Sequence, residues 1–205
     1  MTKLIIIAGP QSSGKTTLFK YLQKKHPNWQ FVSDTDPRTV TGKKHFGAVN
    51  VSAELEEKIL EQDLKNIKNI DRKKEIVIAE CGIFNCVYAQ HFLYEKLANH
   101  YYKEYLKIYE GLNPYVFFIK TIPEISWQRR KEKYRKRILD RGVTDQKIIE
   151  EYLYEYKKII ETLYPSWLEF YKKIPFKKIM IENSYKEKGQ FLKEADKIIQ
   201  SLLTR

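Results

Sequence analysis

Residues 4–19 read Leu-Ile-Ile-Ile-Ala-Gly-Pro-Gln-Ser-Ser-Gly-Lys-Thr-Thr-Leu-Phe. The isoleucine-rich run from Lys3 to Ala8 has the length and β-branched content of a buried strand. Gly9 to Thr16, GPQSSGKT, then satisfies the pattern G-x-x-x-x-G-K-[ST] at every fixed position, and Leu18, Phe19, Tyr21 and Leu22 continue as a helix. Strand, loop and helix together specify a phosphate-binding loop; a chance glycine-rich turn has no reason to carry both flanks.

The residue types follow from the chemistry. Gly9 and Gly14 allow backbone torsions and approaches that a Cβ would block, so successive N–H groups can converge on phosphate oxygens. Lys15 adds a cation for the β- and γ-phosphates, and the Thr16 hydroxyl is placed to ligate Mg²⁺. The helix starting near Gly14 turns its positive end toward the anion. Ser12, Ser13 and Thr17 complete the loop groups expected to touch the nucleotide, with ATP as the expected donor.

The length of 205 residues is ample for one core, and a hydrophobic fraction of 42% argues against global disorder. The chain is read as one domain over 1–205. No uncharged apolar stretch reaches membrane-spanning length, and the opening apolar run is too short for a signal peptide, so a cytoplasmic protein is expected. Cys81 and Cys86 are the only cysteines and have no zinc-like spacing, which makes them free thiols. The 38 basic residues exceed the 26 acidic ones, giving a net charge of +12. That balance suits nucleic acid, an acidic surface or small polyanions such as nucleotides. The lysines are spread along the chain, so solvated helix faces account for most of the charge, a nucleic-acid partner is the weaker reading, and none with a membrane is expected.

Four further apolar runs read as strands: NWQFVS (Asn28 to Ser33), EIVIA (Glu75 to Ala79), YVFFIK (Tyr115 to Lys120) and FKKIMI (Phe176 to Ile181). The second strand exits into Asp34-Thr35-Asp36-Pro37-Arg38, where a ligand or a solvated acidic turn is expected. The third exits into Glu80-Cys81-Gly82. An acidic residue there can hold the metal's water shell opposite Thr16, or cap the next helix. Residues 39–50 read as a loop with Gly42, Gly47 and the Lys43-Lys44 pair, and Val51 to Ile70 as an amphipathic helix. Phe84 to Tyr109 reads as one aromatic-rich helical segment, and 148–171 as another, interrupted at Pro165. Pro123 opens a helix that becomes intensely basic, with Arg129, Arg130, Lys131, Lys133, Arg135, Lys136, Arg137 and Arg141. Such density repels itself unless an anion relieves it. A lid over transferring phosphates, about residues 129–145, is the sharp reading; a nucleic-acid patch or a solvated face is the dull one. Lys188 to Leu203 forms the last helix. Strands alternating with helices imply an α/β fold with a five-stranded parallel sheet covered by helices on both faces.

On these residues the chain resembles the P-loop nucleoside and nucleotide kinases, most closely the deoxynucleoside kinase and thymidylate kinase group. The resemblance implies the three-layer P-loop NTPase fold and transfer of the ATP γ-phosphoryl group to a nucleoside or nucleoside monophosphate. It assigns the acidic-Pro pair to Asp36-Pro37, with Asp36 orienting or deprotonating the acceptor. Glu80 falls where the deoxynucleoside kinases carry Glu-Arg-Ser, and Thr16 with Glu80 would organise Mg²⁺. Arg129, Arg135 and Arg137 map to the lid arginines, and the stretch from Glu182 to Tyr185, with Asn183, to the adenine-contacting loop. Cys81 stands where the family has arginine, and the Glu-Pro-Gly-Gly form of many thymidylate kinases is absent, so the acceptor does not carry over. A polynucleotide 5′-kinase and a nucleotide-binding switch or ATPase are the rival readings; no Asn-Lys-x-Asp stretch supports a GTPase. A homodimer is left open.

Overall fold

The computed structural model describes residues 2–41, 52–92 and 95–203, apart from the side chains of Arg38, Thr41 and Phe92. Gly42, the Lys43-Lys44 pair, Gly47 and the expected helix start at Val51 lie outside the described residues.

The strands are β1 (Lys3–Ala8), β2 (Gln30–Val32), β3 (Ile76–Glu80), β4 (Asn113–Lys120) and β5 (Lys177–Glu182). They form one parallel sheet in the order β2-β3-β1-β4-β5. The glycine loop therefore leaves the central strand, and all five carboxyl ends open on one edge. Register does the rest: Ile7 of β1 pairs with Glu80 of β3, and Ala8 with Phe118 of β4.

The period of two along β1 splits the core into two layers. Leu4, Ile6 and Ala8 pack with Leu60 and Leu64 of α3 (Ala53–Lys68), Tyr101 and Tyr105 of α5 (Glu95–Tyr109) and Trp167 of α7 (Gln146–Lys173). Ile5 and Ile7 face the other way, onto Leu18, Phe19 and Leu22 of α1 (Lys15–Lys25) and Phe191, Ala195 and Ile199 of α8 (Lys188–Leu203). A third cluster joins Tyr134 and Ile138 of α6 (Pro123–Leu139) to Ile149, Leu153, Tyr156 and Ile160 of α7, so α6 and α7 form a hairpin with its own small core. No helix among the described residues is long and apolar enough to cross a membrane.

Three local outcomes differ from the sequence reading. Pro37 begins a short helix, α2 (Pro37–Thr41), in keeping with the preference of proline for a first turn. The aromatic segment does not open as an α-helix: Cys81 takes φ 60° and a 3₁₀ turn spans Gly82–Asn85 ahead of α4 (Cys86–Phe92), with α5 described from Glu95. Pro165 does not interrupt α7, because Tyr156, Ile160, Leu163 and Trp167 are buried on both sides of it and hold the helix through the lost hydrogen bond.

Candidate active site

The loop after β1 is shaped by contacts only glycine allows. A Cβ on Gly9 (φ 144°) would lie 2.2 Å from the Ile119 carbonyl oxygen of β4, and one on Gly14 (φ 105°) 2.9 Å from the Asn183 amide nitrogen. The loop is thus pressed between β4 and the segment after β5. Asn183 Nδ2 donates to the Ser13 carbonyl at 2.7 Å. Ser126 Oγ, on the first turn of α6, donates to the Gln11 carbonyl at 2.5 Å. Arg129 donates to the carbonyls of Ser12 (3.3 Å), Asn183 (2.7 Å) and Ser184 (3.2 Å). Burial pulls its guanidinium pKa down from the usual range. Two buried atoms of the loop, Ser13 Oγ and Gln11 Oε1, have no hydrogen-bond partner among the described residues, and a phosphate oxygen or its water shell would supply one to Ser13.

Lys15 Nζ crosses the loop to the carbonyls of Gly9 (2.6 Å) and Pro10 (2.9 Å). Thr16 Oγ1 donates to Glu80 Oε1 at 2.5 Å, a contact that follows from the register placing Glu80 beside Ile7. One hydroxyl and one carboxylate suit Mg²⁺, which keeps most of its shell as water and substrate phosphate. Among the described residues no cluster of three or more His, Cys, Asp or Glu could hold a metal unaided.

These groups border a cavity of about 750 Å³. Its lining includes the cations Lys15, Lys20, Arg129, Arg130, Lys133, Lys186 and Lys188, and also Asp34, Glu80, Cys81 and Tyr88. Asp34, just past β2, accepts from Asn85 Nδ2 at 2.9 Å, and the same amide donates to Asp63 Oδ2. Asp63 Oδ1 accepts from the Thr35 backbone N–H at 2.9 Å. Burial first, then the nearby Asp63 and Glu80 charges, raise the Asp34 carboxyl well above the usual carboxylate range. Burial, with Asp34 beside it, pushes Glu56 on α3 up to about 8. Burial also raises the Cys81 thiol, which stays neutral near pH 7.

The sequence-derived residues fall into two groups. Ser12, Ser13, Gly14, Lys15, Thr16, Thr17, Glu80, Arg129 and Asn183 line the cavity, and Gly9 lies behind the loop against β4. Asp36, Arg135 and Arg137 are not among the lining residues. Asp36 immediately precedes α2, its carbonyl accepting from the Thr39 N–H and hydroxyl. Arg135 pairs with Glu150 of α7 at 2.8 Å, and Arg137 lies 5.9 Å from the centre of the Tyr134 ring. Asp34 lies in the strand-exit loop, Tyr88 in the aromatic segment and Arg130 and Lys133 in the basic run that the sequence marks, without individual catalytic or binding roles; Lys186 and Lys188 carry no such mark. For Arg130 and Lys133 a signal existed, because with Arg129 they share one helical face at steps of one and four.

The fold has close counterparts. The YorR protein from Bacillus subtilis, in complex with phosphorylated GDP, superposes with a TM-score of 0.60 at 15% identity over 99% of each chain. Deoxyadenosine kinase from M. mycoides superposes with products dCMP and a flexible dCDP bound (TM-score 0.62, 15% identity, 98% of each chain). The same kinase with bound dCTP gives 0.64 at 16% identity, over 98% of this chain and 100% of that one. At such identities these likenesses establish the fold. No curated protein matches at the level of sequence. The family model for deoxynucleoside kinase matches residues 5–201, nearly the whole length, with the phosphate loop, Glu80 and the basic helix in its span. The chain belongs to the deoxynucleoside kinase family.

Proposed function

We propose that this protein transfers the γ-phosphoryl group of ATP, with Mg²⁺, to the hydroxyl of a deoxynucleoside. The observation that carries the reading is that one cavity is lined both by the phosphate loop with its cations and by the carboxyls of Asp34 and Glu80. The triphosphate would lie on the loop N–H groups, Lys15 and Arg129. Thr16 and Glu80 would hold Mg²⁺, which when bound neutralises phosphate charge. Asp34, facing the cavity, is our choice for the group that orients the acceptor hydroxyl and takes its proton. Asp36, the residue the resemblance assigns, is the other arm of that comparison. Arg130 and Lys133 would stabilise charge on the phosphoryl oxygens, and closure of the α6–α7 hairpin over the donor would exclude water.

The test is a panel of nucleosides, nucleoside monophosphates and oligonucleotides with γ-labelled ATP and Mg²⁺. Label should appear in a nucleoside 5′-monophosphate and be lost in Lys15→Ala. Label only in inorganic phosphate, or full transfer by Lys15→Ala, would sink the proposal. Family membership favours a free nucleoside over the polynucleotide end, and flat salt dependence of oligonucleotide binding would agree.

A further inference from the structure

Lys15 has a neighbour on an element that gives no residue to the cavity. The indole of Trp167, fully buried on α7, lies under its ammonium, with Nζ 5.3 Å from the ring centre. We propose that Trp167 is a positioning residue for phosphoryl transfer, fixing the direction in which the Lys15 ammonium points; the inference rests on Lys15 being the cation that meets the donor phosphates.

An ammonium has three N–H donors. Two are committed, to the Gly9 and Pro10 carbonyls. The indole face covers another side of the cation and keeps water off it. One N–H is then left for an acceptor arriving in the cavity, so the lysine is aimed before the phosphate comes. A cation held over a desolvated indole gains about thirtyfold in favour of that arrangement.

Packing alone does not account for a tryptophan here. Its Nε1–H is buried without a hydrogen-bond partner among the described residues, a cost that a phenylalanine or leucine in the same place would not carry. What indole offers beyond those residues is the most electron-rich face for a cation. The ring is itself held in orientation, stacked on Phe84 (centroids 5.9 Å, planes 9° apart) and edge-on to Tyr88 (5.5 Å, 82°). Phe84 belongs to the 3₁₀ turn that follows Glu80 and Cys81, and Tyr88 lines the cavity. Trp167 therefore ties the lysine of one strand end to the turn carrying the carboxylate of the next.

The experiment substitutes Trp167 by Phe, Tyr and Leu and measures steady-state kinetics together with thermal unfolding. Trp167→Leu should lower kcat/KM for ATP about thirtyfold and leave KM for the acceptor nucleoside unchanged. Trp167→Phe and Trp167→Tyr, which keep a less electron-rich aromatic face, should fall between the parent and Trp167→Leu. Equal losses in the Leu and aromatic variants, or a folded Leu variant within about threefold of the parent, would overturn the proposal. Should Trp167→Leu fail to fold, fluorescence decides. With Trp29→Phe and Trp127→Phe, Trp167 is the sole indole, and its emission should change on Lys15→Met without any ligand; an unchanged spectrum refutes the contact. Inactive Lys15→Ala beside fully active Trp167→Leu would defeat this inference alone, whereas active Lys15→Ala would defeat the reading beneath it.

Discussion

Asn183 separates two ways of reading the segment after β5. If it braces the phosphate loop, its amide matters for stability and loop shape; if it reads the donor base, it matters for nucleotide choice. Its Nδ2 donates to the Ser13 carbonyl at 2.7 Å, Ser13 is 0% exposed and Asn183 5%. Asn183→Ala leaves that carbonyl buried without a partner, which costs about 1–3 kcal/mol, and the emptied space adds to it. For a chain of this size each kcal/mol is about 2–4 °C in Tm, so a fall of roughly 4–10 °C is expected. Asn183→Asp should be worse, since a carboxylate would face the same carbonyl. In steady-state assays the relaxed loop should raise KM for ATP about tenfold while the ATP-to-GTP preference holds. An unchanged Tm combined with an altered ATP-to-GTP preference would refute the bracing argument and restore Asn183 as a base contact.

Four further outcomes follow from the same geometry. Gly9→Ala drives a methyl to 2.2 Å from the Ile119 oxygen and should cost about 3 kcal/mol or more in urea unfolding, with loss of ATP binding. Asp34→Asn should lower kcat about a hundredfold or more at unchanged KM for ATP; a comparable loss in Asp36→Asn with Asp34→Asn active would move the base to Asp36. Arg135→Ala removes a partly exposed pair with Glu150 and should shift stability by less than about 1 kcal/mol. A hundredfold fall in kcat with that unchanged Tm would show that Arg135 reaches the phosphates on closure. For Glu56 the sign runs against the usual carboxylate. Its folded pKa is raised from 4.5 to about 8, so the folded state holds the proton longer than the unfolded one. Stability should fall by roughly a few kcal/mol as pH rises from about 4.5 to about 8; Glu56→Gln should flatten that slope, and a parallel slope would refute it.

What could be read from the chain tracks how local each signal is. The glycine loop was legible because its strand, turn and helix are contiguous and every position has a steric or electrostatic reason. Glu80 was legible because it ends an apolar run, and parallel pairing puts that end beside the loop. The choice between Asp34 and Asp36 was not, since it depends on β2 stopping at Val32 and on which carboxyl the Asn85 amide catches from across the sheet. Asn183 was found as a position but not as a contact, because its partner is a main-chain carbonyl, and no side-chain pattern announces a backbone acceptor. Among the arginines, density marks the whole basic run and the resemblance selects Arg135 and Arg137, while helical phase puts Arg130 and Lys133 with Arg129 on the cavity side. Trp167 lies 152 positions from Lys15, and only the packing of α7 over the sheet joins them.

Cys81 takes on a different meaning once the cavity's charges are mapped. Its buried thiol stays neutral, so Asp34 and Glu80 gain no cation from the turn after β3. Lys15 acts to lower the Asp34 pKa, and burial with Asp63 and Glu80 outweighs it. A carboxylate raised in this way is a stronger base toward a hydroxyl, at the expense of being partly protonated near neutral pH. The acid limb of kcat/KM for the acceptor should therefore lie well above the ordinary carboxylate range and disappear in Asp34→Asn. A limb near pH 4 would refute the raised carboxyl of Asp34 as the group that takes the proton.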